Sequence, residues 1–139
     1  MSPFSKLLHE LRVSHGLRQA ELAERLGYEQ SYISALEVGL KGPPTDEFLD
    51  RMSVAMFLTE TEQENLRAAA EASQRKLVID QDAPPDVYWL LNDLRNEVRH
   101  LTPVQIRLVR QVLTLREAMY EPHAPVRCLK RRRKEEAPM

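Results

Sequence analysis

The sequence predicts an all-α protein in two parts, a five-helix domain followed by a C-terminal helical hairpin. Three observations carry this expectation. Apolar residues recur at spacings of three and four along most of the chain, the period of a helix with one buried face. Helix-start signals recur at Ser2, Thr45, Thr59 and Thr102, each a hydroxyl followed by Pro or by acidic or amide residues in the next turn. Alternating Val/Ile/Thr runs, the mark of half-buried strands, are absent.

The elements follow in order. Ser2-Pro3 opens a first helix with an N-cap oxygen and Pro at N1. Leu7, Leu8, Leu11 and, less regularly, Val13 mark its apolar face, and Gly16 ends it. Gln19 to Leu26 is a second, short helix with Leu22, Ala23 and Leu26 turned inward. Gly27 follows where a left-handed residue is needed. Gln30 to Glu37 is a third helix with Ile33 and Leu36 inward, closed by Gly39. Gly42-Pro43-Pro44 is a rigid loop. Thr45-Asp46-Glu47 then caps a fourth helix and sets acidic residues in its first turn; this helix carries Phe48, Leu49, Met52 and Met56. Thr59 and Glu62 predict a capping box for a fifth helix reaching about Lys76, with a flat face of Leu66, Ala69, Ala70 and Ser73.

Gln19 to Glu37 has the spacing of a helix-turn-helix. Ala23 is small where the two helices cross, Gly27 lets the chain reverse at about a right angle, and Leu22, Ile33 and Leu36 lock that angle from inside. Gln30, Ser31, Tyr32 and Ser34 remain on the outer face of the second helix of the pair. They are polar groups of short to medium length that suit base edges in a major groove.

With these residues in place, the segment from about Leu7 to Ala70 resembles the Cro/CI (XRE) family of helix-turn-helix domains, the five-helix lambda-repressor-like fold. The resemblance rests on Gly16, Gln19, Glu21, Leu22, Ala23, Leu26, Gly27, Gln30, Ser31, Ile33, Ser34, Leu36, Glu37 and Gly39. It implies that Gln19 binds a phosphate from the start of its helix. It implies that Gln30 begins the recognition helix, reads a base and braces against Gln19. It also implies a structural ion pair between Arg12 and Glu37. Lys41 falls in the loop that relatives use to touch backbone phosphate. Three positions depart from the pattern: Ala35 lacks a long base-reading side chain, Val38 replaces a phosphate-binding Asn, and Arg18 stands where a capping Thr, Ser or Asn is usual. Arg18 has no acceptor for backbone N–H groups, but its charge is placed to meet a phosphate. The expected DNA-binding residues are therefore Arg18, Gln19, Gln30, Ser31, Tyr32, Ser34 and Lys41.

The domain is expected over residues 1–79, followed by a linker at 80–86 that contains Pro84-Pro85. Val87, Leu91, Leu94, Val98 and Leu101 then repeat at alternating four and three residues, a heptad seam. Thr102-Pro103 with Gln105 opens a last helix reaching about Tyr120. It carries two apolar rows: Leu108, Val112, Leu115 and Met119 form one, and Ile106, Val109 and Leu113 the other. A hairpin over 87–121 cannot bury both rows by itself. Docking on the first domain and pairing with a second copy both remain open. A homodimer is favoured, because one recognition helix reads few base pairs and such proteins bind paired half-sites.

Charge and cysteine usage bound the function. The net charge of −1 means that a DNA contact must come from a local face, since the global field will not supply it. Lys130 to Lys134 form a basic run in a tail, 122–139, expected to be disordered. Cys128 is the one cysteine, so no intramolecular disulfide forms and a reducing cytoplasm is expected. The start at Met1–Phe4 does not read as a signal peptide, and no apolar run approaches the roughly 20 residues of a membrane span. His9, His15, His100 and His123 lack metal-ligand spacing, and no phosphate loop, nucleophile elbow or paired carboxylates appear. Neither enzyme activity, a metal nor another cofactor is expected. Three functional readings follow: a dimeric repressor on a two-fold symmetric double-stranded DNA operator, an antitoxin whose hairpin binds a toxin, and an adaptor whose helix-turn-helix no longer binds DNA.

Overall fold

The computed structural model describes residues 1–115. Met119, His123, Cys128 and the Lys130–Lys134 run lie outside the described residues. The last helix, expected to reach about Tyr120, ends at Thr114, because Leu115 turns out of the helical region (ψ 67°) as its C-cap. The described residues form seven helices and no strand: α1 (Pro3–Ser14), α2 (Gln19–Leu26), α3 (Gln30–Val38), α4 (Asp46–Ala55), α5 (Glu60–Ala72), α6 (Pro85–Glu97) and α7 (Pro103–Thr114). The chain divides into two units, Met1–Asp80 and Gln81–Met139.

The first unit is the five-helix lambda-repressor-like domain, with α1 against α3 and α5, and α2 against α3 and α4. Phe4, Leu8, Leu22, Ile33, Leu36, Phe48, Met52 and Leu66 are fully buried at its centre. Each such side chain stabilises the fold by about 1.5–3 kcal/mol. Phe4 extends the α1 stripe one turn toward the N-terminus from Leu8, a position the sequence reading did not single out. Val13, expected on that face, is 56 % exposed. Five residues beyond Leu8 is a rotation of about 140°, so Val13 points away from the core.

The caps explain where the helices begin. Ser2 Oγ accepts from the Ser5 N–H at 3.1 Å, with Pro3 at N1. Thr59 Oγ1 accepts from the Glu62 N–H at 3.2 Å, so that half of the expected box is formed while the Glu62 return bond is not. Ser73 caps α5 three residues short of the expected Lys76. Its hydroxyl donates to the Ala69 carbonyl at 2.6 Å and accepts from the Phe4 N–H at 2.9 Å, so α5 stops where it ties down the start of α1.

In the second unit, α6 begins inside the expected linker, because Pro85 fits N1, where no N–H is needed, and Asp86 meets the helix dipole in the first turn. It ends at Glu97, so Val98 is its C-cap and Leu101 lies beyond it. The expected seam is thus interrupted before its last position. Thr102 must be extended (ψ 158°) to cap α7, and the residue before a proline disfavours helix, so α6 cannot run through. The Thr102–Gln105 capping box is complete, with the Thr102 N–H donating to Gln105 Oε1 at 2.9 Å and the Gln105 N–H to Thr102 Oγ1 at 3.3 Å. Neither α6 nor α7 has a buried residue. Trp89 is 68 % exposed, and Leu90, Val104, Leu108, Val112 and Leu113 are exposed as well. No helix among the described residues is long and apolar enough to cross a membrane.

Candidate nucleic-acid interface

The angle between α2 and α3 is set at Gly27, whose φ of +75° lies in the left-handed region. The Tyr28 N–H reaches back to the Ala23 carbonyl at 3.0 Å and the Gly27 N–H to Glu24 at 3.3 Å, which ends α2 and starts the reversal. Arg51 of α4 donates to the last α2 carbonyl, Leu26, at 3.1 Å. Ala23, Leu22 and Leu26 are buried on one side of the crossing and Ile33 and Leu36 on the other. The two helices are therefore held at both the turn and the core.

Behind them lies a buried ionic network. Glu37, only 6 % exposed, receives both a bond from Arg12 Nε and one from Arg12 Nη2 at 3.2 Å. Arg12 Nη1 also donates to the Leu17 carbonyl at 2.8 Å, fixing the segment that leads into α2. Gln19 Nε2 donates to Glu37 at 2.8 Å, and His9 Nδ1 lies 3.5 Å from the same carboxylate. Burial alone raises the Glu37 pKa, but the bonds from Arg12, Gln19 and His9 and the Arg12 charge outweigh it and hold the carboxyl below its ordinary 4.5. The structure thus brings Arg12 and Glu37 together and commits the Gln19 amide to them. Among the described residues no hydrogen bond links Gln19 to Gln30; the buried carboxylate, with several lone pairs to satisfy, takes the amide instead.

The other expected contact residues are spread over the outer face. Gln30 and Ser31 are exposed in the first turn of α3, and Ser34 is half-buried one turn on. Arg18 is the exposed N-cap of α2. Lacking an acceptor, it forms only one half of a capping box, its backbone N–H donating to Glu21 Oε2 at 3.1 Å. Tyr32 is more enclosed than expected. Its ring stacks on Tyr28 (centroids 5.3 Å, planes 30° apart) and meets Phe48 edge-on at 5.8 Å. Burial raises the phenol above its ordinary 10.0, and Tyr28 raises it further. Lys41 is exposed, with its ammonium 5.3 Å from the centre of the Tyr32 ring.

Sequence reasoning missed three neighbours of this face. Glu29, the N-cap of α3, accepts from Ser31 Oγ at 3.5 Å and sets a negative charge beside the recognition helix. Arg51 pairs with Glu47 at 2.7 Å, an i,i+4 spacing legible in the sequence, and lies 5.4 Å from the Tyr28 ring centre. Arg75 donates to the Gly39 carbonyl just past α3, a contact across 36 residues that no local pattern signals.

A bent helix pair with a buried brace and a polar outer face is the architecture of a helix-turn-helix. Residues 8–63 match the helix-turn-helix family HTH_3, and this segment is a helix-turn-helix domain of the Cro/CI type. The match ends within α5 and leaves the second unit outside it. Among solved structures, the SinR protein/SinI protein complex is similar at 20 % identity over 84 % of this chain and 99 % of that one, with a TM-score of 0.41. No curated protein sequence matches the chain.

Proposed function

We propose that this chain is a sequence-specific transcriptional regulator that binds a two-fold symmetric DNA operator as a homodimer in the cytoplasm. The observation that carries the reading is the exposure of Gln30 and Ser31 in the first turn of a helix braced from behind by Arg12, Glu37 and Gln19. Side chains at that end of a recognition helix are the ones that reach base edges. Gln30 is suited to pair with adenine. Arg18 and Lys41, cations at the edges of the same helix pair, meet phosphates and supply the local charge that the whole chain lacks. Repression needs no further surface, because an occupied operator excludes other proteins.

The homodimer is supported by the unburied second unit. Val87, Leu91, Leu94, Val98, Leu101, Leu108, Val112 and Leu115 lie on or beside two helices that bury no residue. Leaving so much apolar surface in water marks an interface. A second reading draws on the same observation: an antitoxin whose hairpin takes a toxin chain instead of its own copy. Selection of duplexes from random sequence by the full chain tests the first reading. It predicts an enriched inverted repeat with half-sites about 34–36 Å apart or a multiple of that. Enrichment of nothing would leave the adaptor reading standing, and a single asymmetric site would remove the homodimer.

A further inference from the structure

We propose that Tyr32 is a positioning residue for Lys41: its ring holds the Lys41 ammonium beside the first turn of α3, ready to neutralise a backbone phosphate. This inference rests on the DNA-binding reading and adds to it a division of labour within the contact face. Tyr32 entered as a candidate contact, yet its ring is committed inward, stacked on Tyr28 and set edge-on against the fully buried Phe48. A side chain fixed in this way is poorly placed to follow a base edge, but it is a rigid platform. Lys41 Nζ lies over it at 5.3 Å, within the roughly 6 Å over which a ring face attracts a cation.

The lysine is tethered at its backbone too. The Leu40 and Lys41 N–H groups donate to the Ala35 carbonyl at 3.0 and 3.4 Å, and Arg75 holds the Gly39 carbonyl. Pro43 and Pro44 stiffen the chain that follows. Among the described residues no carboxylate pairs with Lys41. Its charge is therefore unspent, and its freedom is already reduced before any ligand arrives. A free lysine loses most of its rotamer entropy on binding a phosphate, and this one has less to lose.

The test is the salt dependence of binding by the full chain to the duplex recovered by random-sequence selection. Each phosphate neutralised contributes about 0.9 to the slope of log K against log salt. Lys41→Met should lower the slope by about that amount for each copy bound. Tyr32→Leu, which keeps every charge, should bring the slope close to the Lys41→Met value, and Lys41→Met added to it should change nothing more. Tyr32→Phe keeps the ring and should retain the wild-type slope. A Tyr32→Leu slope nearer to wild type than to Lys41→Met overturns the proposal. If Tyr32→Leu does not fold, the Lys41 side-chain methylene protons of the free full chain decide: ring-current upfield shifts support the proposal, and random-coil shifts overturn it. If the wild-type chain selects and binds no duplex, the DNA-binding reading itself fails, an outcome distinct from a bound complex with an unaltered slope.

Discussion

Glu37 couples stability to pH. Its folded pKa lies below the ordinary 4.5, so the unfolded chain binds its proton more readily than the native one. The stabilisation is therefore complete above 4.5 and is lost as pH falls through the folded value. Melting curves taken between about pH 6 and pH 3 should show a drop that Glu37→Gln flattens. At neutral pH the same substitution leaves the Arg12 guanidinium, only 14 % exposed, without its counter-charge. The expected loss is about 3–5 kcal/mol, a fall in melting temperature of about 10 °C or more for a domain of this size. An unchanged melting temperature would show that solvent and the Leu17 carbonyl suffice for Arg12. At the DNA face, Gln30→Ala should cost about 1–3 kcal/mol and relax preference at one position per half-site, measured against single-base operator changes. Gln19 is held to Glu37, so Gln19→Ala should act through that brace and weaken all sites alike. Single residues were unevenly legible in the sequence. Arg12 and Glu37 were legible through the family pattern, since a separation of 25 positions hides the pair from local reading. The outward Gln30 followed from helical periodicity. The enclosed Tyr32 did not, because its partner Phe48 arrives from a helix whose packing angle no local spacing encodes.

Helix positions in the first unit were largely legible, because caps and glycines mark their ends locally. Gly27 is the sharpest case: any side chain there must adopt φ near +75°, and an added Cβ would stand 3.4 Å from Arg51 Nη1. Gly27→Ala should cost about 1–2 kcal/mol, read as a lower urea midpoint with unchanged m-value. The second unit was less legible. A heptad count over Val87 to Leu101 carries no information about the break that the Thr102-Pro103 start imposes, so the seam reads as longer than the helix that bears it. Pro84-Pro85 likewise reads as a corner, although its second proline already occupies the first turn of α6. Where α5 ends depended on Ser73 meeting Phe4, a contact across 69 residues.

Across the whole molecule the two units differ in kind. The first contains a complete core with no buried polar side-chain atom left unpaired among the described residues. The second buries nothing in its described helices, and the proposed homodimer would cover its apolar residues. A truncation ending at Asp82 should therefore stay folded yet be monomeric, and Leu94→Glu in the full chain should mimic its loss of association. The central claim is that the first unit reads DNA and the second pairs the readers. It is tested most directly by the ratio of affinities for a two-half-site and a one-half-site duplex, measured for the full chain and for residues 1–82. Pairing makes the second half-site an intramolecular event, so the full chain should favour the double site by about 10²–10⁴-fold. The truncation should bind a single half-site as the full chain does and show a ratio near that of two independent sites. Equal ratios for the two proteins would contradict the account.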